Sequence, residues 1–403
     1  MMFLEEPARK TPIVGAYDVA VVGGGVAGIA AALAAARCGA KTILIEKQFA
    51  LGGLATLGLV TIYLPLCDGC GRQVSFGLAE ELLRLSIRHG WEDRYPAPWL
   101  ENGTRESREK RRFEVQYSAP IFAVLCEQLL RENGVEILYG TSVCGVQTDG
   151  GKIRALFLEN KSGRSAISVR GAADCTGDAD LCAMSGAQTA RFAQGNVLAA
   201  WYYAQHGDRV RLKMLGFADV PDKYKSETEK QKDRRRYGGL DGAELSEMVQ
   251  DAHSTLLADF LKDGIVSPTH NLTSMAAIPQ VRMTRRLCGA YTMDDTEQHK
   301  FFADSIGMIG DWRKAGPVYE LPFRTLYSEK VKNLAAAGRC ISVADDLWDV
   351  TRVIPACAVT GQAIGTALAL SDDLSALDVD ALQMRLRNDG VRLHESELEA
   401  DDT

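Results

Sequence analysis

Three glycines, Gly23, Gly25 and Gly28, stand at the spacing that brings a backbone against a phosphate. They follow Asp18 and an apolar run over 19–22 and open an alanine-rich stretch. Gly23 suits a tight strand-to-helix turn, Gly25 lets the backbone approach a pyrophosphate, and Gly28 permits close packing of helix on sheet. Glu46 closes the next apolar run, where a carboxylate hydrogen-bonds ribose hydroxyls and repels a 2′-phosphate. That is dinucleotide chemistry, and the acid argues against NADP. A second group suits anion binding and proton transfer. Arg282, Arg285 and Arg286, at i, i+3 and i+4, share one face of a helix but split across a strand. Three guanidiniums in a cleft attract a carboxylate or other anion, and the same three serve equally as structural ion pairs. His270 and Tyr291 are acid–base candidates by side-chain chemistry.

To meet a phosphate, the glycines need a strand before them and a helix over 26–37, its N–H groups and dipole facing the ligand. After Glu46 and Lys47 comes Leu51-Gly52-Gly53-Leu54-Ala55-Thr56-Leu57-Gly58, whose glycine pair lets the chain pass beside an extended ligand. Far downstream, 331–337 reads as a buried strand stopping at Gly338, and 356–370 as a small-residue helix. The N-terminal end of that helix can stabilise negative charge on a reduced isoalloxazine ring. Together these segments indicate FAD rather than a nicotinamide. Between residues 60 and 330 no second Gly-x-Gly-x-x-Gly stands between a strand and a helix, so no built-in NAD(P)H domain is expected.

Residues 18–28, Glu46, 51–58, Asp174-Cys175-Thr176-Gly177-Asp178, and 333–339 with 352–365 resemble the bacterial FAD-dependent oxidoreductase family. That family lies within the fumarate reductase and succinate dehydrogenase flavoprotein superfamily. Residues 282–291 are similar to its middle motif, and the resemblance covers roughly 15–372. It implies that Gly23, Gly25, Gly28, Glu46, Lys47, Gly53, Thr56, Asp178, Gly338, Gln362 and Ala363 line the cofactor. Arg339 follows Gly338 where many two-dinucleotide flavoproteins have an aspartate. The resemblance also implies a small polar or anionic substrate, held by Arg282, Arg285 or Arg286.

The expected fold is α/β, a Rossmann-like FAD-binding domain (parallel sheet plus β-meander) with an interleaved α+β cap. The FAD domain takes 12–60, 113–184 and 331–372, the cap 61–112 and 185–330, and a C-terminal helix and tail 373–403. Helices are expected over 76–88, 120–132 and 379–388, the last followed by a frayed acidic end. Strands are expected over 135–139, 142–147, 153–158 and 166–169, with 172–176 returning to the parallel sheet. A charged loop through Pro96, Pro98 and 105–112, and an exposed helix or loop over 222–237, read as solvated surface.

A chain of 403 residues with 46% apolar content and a net charge of −7 suits a globular enzyme without the basic footprint of nucleic-acid binding. No signal peptide and no run of 18 apolar residues is apparent, so a cytoplasmic protein with no membrane span is expected. Its ten cysteines then read as reduced thiols. Cys67-Asp68-Gly69-Cys70 has the spacing of a redox dithiol or half a zinc site; no second ligand pair follows, so no metal is expected. Cys340, Cys357 and His270 are chemically able to carry covalent FAD. The principal reading is hydride exchange between a small-molecule substrate and flavin, with an electron-transfer partner or oxygen completing the cycle. Two others stand beside it: a flavin-linked thiol–disulfide or electron-relay protein using Cys67 and Cys70, and a FAD-binding subunit of a larger redox complex.

Overall fold

Strand Ile13–Val22 runs parallel to Thr42–Ile45 on one edge and to Gly163–Asp174 on the other, with Val22 beside both Ile45 and Asp174. Glu136–Leu138 extends the parallel sheet beyond Thr42–Ile45. The computed structural model describes residues 3–4, 7–216 and 235–398 of the chain; most of the charged 222–237 stretch lies outside them. Gly163–Asp174 shares its far edge between two partners. Its first half pairs antiparallel with Lys152–Asn160, which pairs in turn with Ser142–Asp149, and Ala172–Asp174 pairs parallel with Leu334–Ala336. The mixed α/β class and the meander are as expected. The separate strands over 166–169 and 172–176 are instead one strand, continuous through Gly171. No turn is needed there, because Gly171 makes room for a helix: a Cβ would lie 2.9 Å from Leu368 Cδ2.

Helix Val26–Arg37 follows the first strand, and helix Ile354–Leu370 packs along it. Both are apolar nearly all round, the pattern of a buried helix. Their approach is set by missing side chains. A Cβ on Gly361 would come 2.3 Å from the Ala27 carbonyl oxygen, and one on Gly365 would come 2.1 Å from that of Ala31. Among the described residues no single helix is long and apolar enough to cross a membrane. The pair Asp345–Thr351 and Ile354–Leu370 passes that test by length and composition, but it is bent by 89° and packed into the core.

Several segments differ from expectation for visible reasons. Helix Leu78–Ser86, expected in the cap, packs against Ile354–Leu370 and Ala119–Glu132, and its Leu78 N–H donates to Gln362 Oε1 at 2.8 Å. The charged stretch after Pro98 contains helix Arg105–Lys110, because Thr104 caps it by accepting from the Ser107 N–H. Helix Val379–Asn388 forms as expected, but the described residues beyond it, 389–398, are not frayed. Val391, Leu393 and Leu398 are buried, and Gln383 in the helix donates to the carbonyls of Ala303 and Ser305. Residues 399–403 lie outside the described chain.

Above the sheet, Tyr202–His206, Arg209–Lys213 and His270–Met275 form a three-stranded antiparallel sheet. Leu256 and Phe260 of helix Gly242–Phe260 pack on its Tyr202 and Ala204. Arg285–Leu287 is a strand paired with Thr189–Arg191, so the three arginines do not share a helical face. Alternation along the strand sends Arg285 and Arg286 to opposite sides.

Candidate active site

A cavity of about 510 Å³ opens where the parallel strands end, lined by Val22, Ile45 and Cys175 at their tips. This is the crevice in which open α/β sheets bind nucleotides. Gly23 turns at φ +101°, and a Cβ there would strike the Cys175 carbonyl at 2.4 Å. Gly28 has no room either: a Cβ would lie 1.8 Å from the Gly23 carbonyl oxygen. Gly25 is different. It caps helix Val26–Arg37 with an extended backbone, lines the cavity, and a Cβ built on it meets nothing within 4 Å. The bare backbone therefore faces the volume a pyrophosphate would fill, at the positive end of a helix. Glu46, also in the lining and nearly buried, accepts from the Gly24 N–H at 2.6 Å and the Gln48 N–H at 2.8 Å.

Lys47 and Gly53 line the same cavity. The second glycine loop is drawn against the first: Gly52 donates its N–H to the Gly24 carbonyl at 2.8 Å, and a Cβ on Gly53 would come 3.2 Å from Gly25 Cα. Four residues expected in the lining are not in it: Gly28 packs beneath the Gly23 turn, and three others lie behind the wall. Thr56 is buried and donates through Oγ1 to the Leu51 carbonyl, holding the loop closed. Gln362 accepts from Leu78, and Ala363 is fully buried inside its helix.

At the other end, Asp178, Gly338 and Arg339 line the cavity together. Gly338 turns at φ +71° against Ala27. Arg339 donates from Nη1 to the carbonyls of Val281 and Arg282 at 3.1 and 3.0 Å, and from Nη2 to Asp178 at 3.4 Å. Asp178 also accepts from Thr284 Oγ1 at 2.7 Å. Arg282 shares this wall at 3% exposure, its guanidinium over the Trp201 ring at 5.0 Å. Its Nε and Nη2 are buried and have no hydrogen-bond partner among the described residues. Burial, reinforced by the like charges of Arg352 and Arg339, holds Arg282 well below the ordinary arginine range.

Two amides fix that arginine. Asn196 Oδ1 accepts from the backbone N–H groups of Arg282 and Met283, and Gln280 accepts from the Trp201 N–H while donating to the Gly58 carbonyl at 2.6 Å. Both amides are buried, and neither has a sequence signature. Arg352, which also lines the cavity, enters the sequence reading only as the first residue of the 352–365 segment of the resemblance.

The other acid–base and anion-binding candidates stand outside the lining. Arg285 pairs with Asp180 at 2.7 Å and donates to the Asp178 carbonyl, so it stitches its strand to the cavity rim. Arg286 lies over the Trp348 ring at 5.6 Å. His270 faces His206 across two strands, Nδ1 to Nδ1 at 3.2 Å, and stacks on Phe260. Tyr291 donates to Glu297. Cys67 is buried, accepts from the Phe113 N–H at 3.4 Å, and its thiol is pushed up by burial; neither it nor Cys70 lines the cavity. Cys357 does line it, with its thiol pushed up to about 12 by desolvation.

The glycine cradle, the acid at the end of the second strand and the long cavity fit an FAD. A family model described as FAD dependent oxidoreductase matches residues 18–201 and 203–386. Thioredoxin reductase of Ureaplasma parvum serovar 3 is 37% identical over 71 residues, 18% of this chain and 23% of that protein. Dihydrolipoyl dehydrogenase of Trypanosoma brucei brucei is 57% identical over 45 residues, 11% of this chain and 9% of that one. The chain thus matches less than a quarter of the length of either relative. Among solved structures, a geranylgeranyl bacteriochlorophyll reductase-like protein from Thermoplasma acidophilum superposes with a TM-score of 0.48 at 13% identity, covering 93% of this chain and 82% of that one. The 3-ketosteroid-Δ4-(5α)-dehydrogenase of Rhodococcus jostii RHA1 gives 0.46 at 15% identity, covering 90% and 98%.

Proposed function

Because the chain belongs to the FAD dependent oxidoreductase family, we propose that it exchanges a hydride between a small polar or anionic substrate and FAD held in the cavity. The observation that carries this reading is that one cavity runs from Gly25 and Glu46 to Arg282, so a dinucleotide cradle and a buried cation share a single space. FAD supplies a ring able to take or give a hydride. Gly23, Gly25 and the first turn of Val26–Arg37 hold the pyrophosphate, and Glu46 meets the ribose. Arg282 binds and orients the substrate, kept in place by Asn196 and backed by Trp201. Val60, Ile62, Leu64, Ile278 and Val281 wall the cavity with hydrocarbon, which excludes water and strengthens the pull of Arg282 on a charge.

In this reading no nicotinamide domain is built in, so a separate carrier or oxygen completes the electron balance. The order of the FAD motifs supports a place near the fumarate reductase and succinate dehydrogenase flavoproteins. Ten unpaired cysteines support a reducing compartment such as the cytoplasm. The visible spectrum of the purified protein, before and after acid precipitation, tests the proposal. A flavin spectrum that small anionic substrates bleach without oxygen is the expected result. Protein that takes up no flavin even after incubation with FAD overturns it. Colour kept in the pellet would mean a covalent link, for which Cys357 stands at the cavity wall.

A further inference from the structure

His206 and His270 stand 64 residues apart in the chain, and the fold sets them face to face. His206 ends strand Tyr202–His206, His270 begins His270–Met275, and the antiparallel register places the two directly opposite. Their Nδ1 atoms are 3.2 Å apart, while the ring centroids are 4.8 Å apart and the planes tilted by 55°. The rings therefore meet at their nitrogens rather than stacking. Neither residue lines the large cavity.

The pair is held in place on both sides. The His270 ring stacks on Phe260 at 4.7 Å and 11°, and its Nε2 is buried, so the nitrogen it offers is Nδ1, the one facing His206. Beside it the backbone is pinned: the Gly207 N–H donates to the Thr269 carbonyl at 2.7 Å, and Ser267 and His270 exchange N–H···O bonds at 2.9 and 3.1 Å. His206 is exposed and His270 partly so, which puts the pair at the surface of the cap. Two neutral imidazoles can place only one hydrogen between facing nitrogens. A metal ion can take that position if both nitrogens act as lone-pair donors, and the exposed His206 can shift its hydrogen to its own Nε2 in water. With metal–nitrogen bonds of about 2.0–2.1 Å, a 3.2 Å separation subtends about 100–105° at the ion, between the octahedral and tetrahedral values. We propose that His206 and His270 chelate a late divalent transition metal, Cu²⁺ ahead of Ni²⁺ and Zn²⁺. Among the described residues no third His, Cys, Asp or Glu completes a cluster, so water fills the remaining positions and the ion exchanges freely. Bound there, it clamps two strands of the cap sheet together, whether or not the cavity holds FAD.

The test uses the tag-free full chain, its accessible thiols blocked with iodoacetamide, titrated with Cu²⁺ and followed by calorimetry and EPR. Wild type is expected to fill one strong site whose spectrum shows two nitrogen ligands. His206→Ala removes an exposed side chain and should weaken that site by about 100-fold, because the second imidazole no longer acts as an intramolecular ligand. Its Tm without metal should match wild type, and Cu²⁺ should raise Tm in wild type only. His206→Gln carries the comparison if the alanine variant does not fold. Equal copper affinity in wild type and variant, or a wild-type spectrum with a single nitrogen ligand, would overturn the proposal.

Discussion

The backbone N–H of Gly24 donates to Glu46 Oε2 at 2.6 Å, so the acid that ends the second strand also pins the glycine turn that follows the first. One carboxylate thus serves the fold and the ligand. Glu46→Gln keeps an acceptor for Gly24 and should fold normally, with FAD bound about tenfold more weakly. Glu46→Ala leaves a buried N–H unanswered and should cost about 1–3 kcal/mol of stability as well. Thermal melts of the apoprotein and flavin fluorescence titrations separate the two effects.

Gly25 and Gly28 should fail in opposite ways. A methyl group at Gly25 meets no protein atom, so Gly25→Ala apoprotein should melt like wild type yet lose FAD by at least about 100-fold. Gly28→Ala would drive a methyl to 1.8 Å from the Gly23 carbonyl and should yield little soluble protein. A Gly25→Ala variant that keeps full FAD affinity would move the phosphates elsewhere.

Arg285 should behave as a strut. Its partner Asp180 is partly exposed, so Arg285→Ala should cost no more than about 1 kcal/mol and leave KM and FAD affinity within about twofold. A large rise in KM at unchanged Tm would put Arg285 on the ligand instead.

Thiol reactivity should follow burial. At pH 8, iodoacetamide should modify the exposed Cys144 first and spare Cys67, Cys175, Cys182, Cys340 and Cys357, whose thiols burial pushes up. Cys67→Ser should retain full turnover. The folded value of Cys357 lies above the ordinary thiol value of about 8.5. Its contribution to stability is therefore complete below that value and disappears as pH rises through about 12. Alkaline unfolding curves of wild type and Cys357→Ala should converge on that side.

Truncation after Asp389 should be severe. It removes Val391, Leu393 and Leu398 from the core, at about 1.5–3 kcal/mol for each aliphatic side chain. It also removes His394 from its contact with Glu320 at 3.0 Å. Soluble, FAD-binding protein ending at residue 389 would contradict this.

What the sequence disclosed and withheld divides along physical lines. Helix Val26–Arg37 and the cradle were legible because Gly23, Gly25 and Gly28 each answer a local backbone demand. Helix Val379–Asn388 was legible from its periodicity. Arg282 was noticed, but its neighbours Arg285 and Arg286 were indistinguishable from it by spacing. Only tertiary contacts separate them, since Asn196 and Trp201 draw Arg282 to the cavity while Asp180 captures Arg285. Thr56 and Gln362, which the resemblance puts on the cofactor, brace the parts that line it. Whether a residue lines a wall or stands one layer behind it is set by packing across hundreds of residues, as with Leu78 on Gln362.

The divided edge of Gly163–Asp174 has a temporal consequence. Leu334–Ala336 reaches it from more than 150 residues downstream, and the chain that follows supplies Gly338, Arg339 and the helix that carries Cys357 to the cavity. A nascent chain emerging from a ribosome thus displays its glycine turn long before the far wall of the pocket exists. Contacts of such long range form late. The growing polypeptide has no finished berth for its cofactor until residues 334–357 have been made.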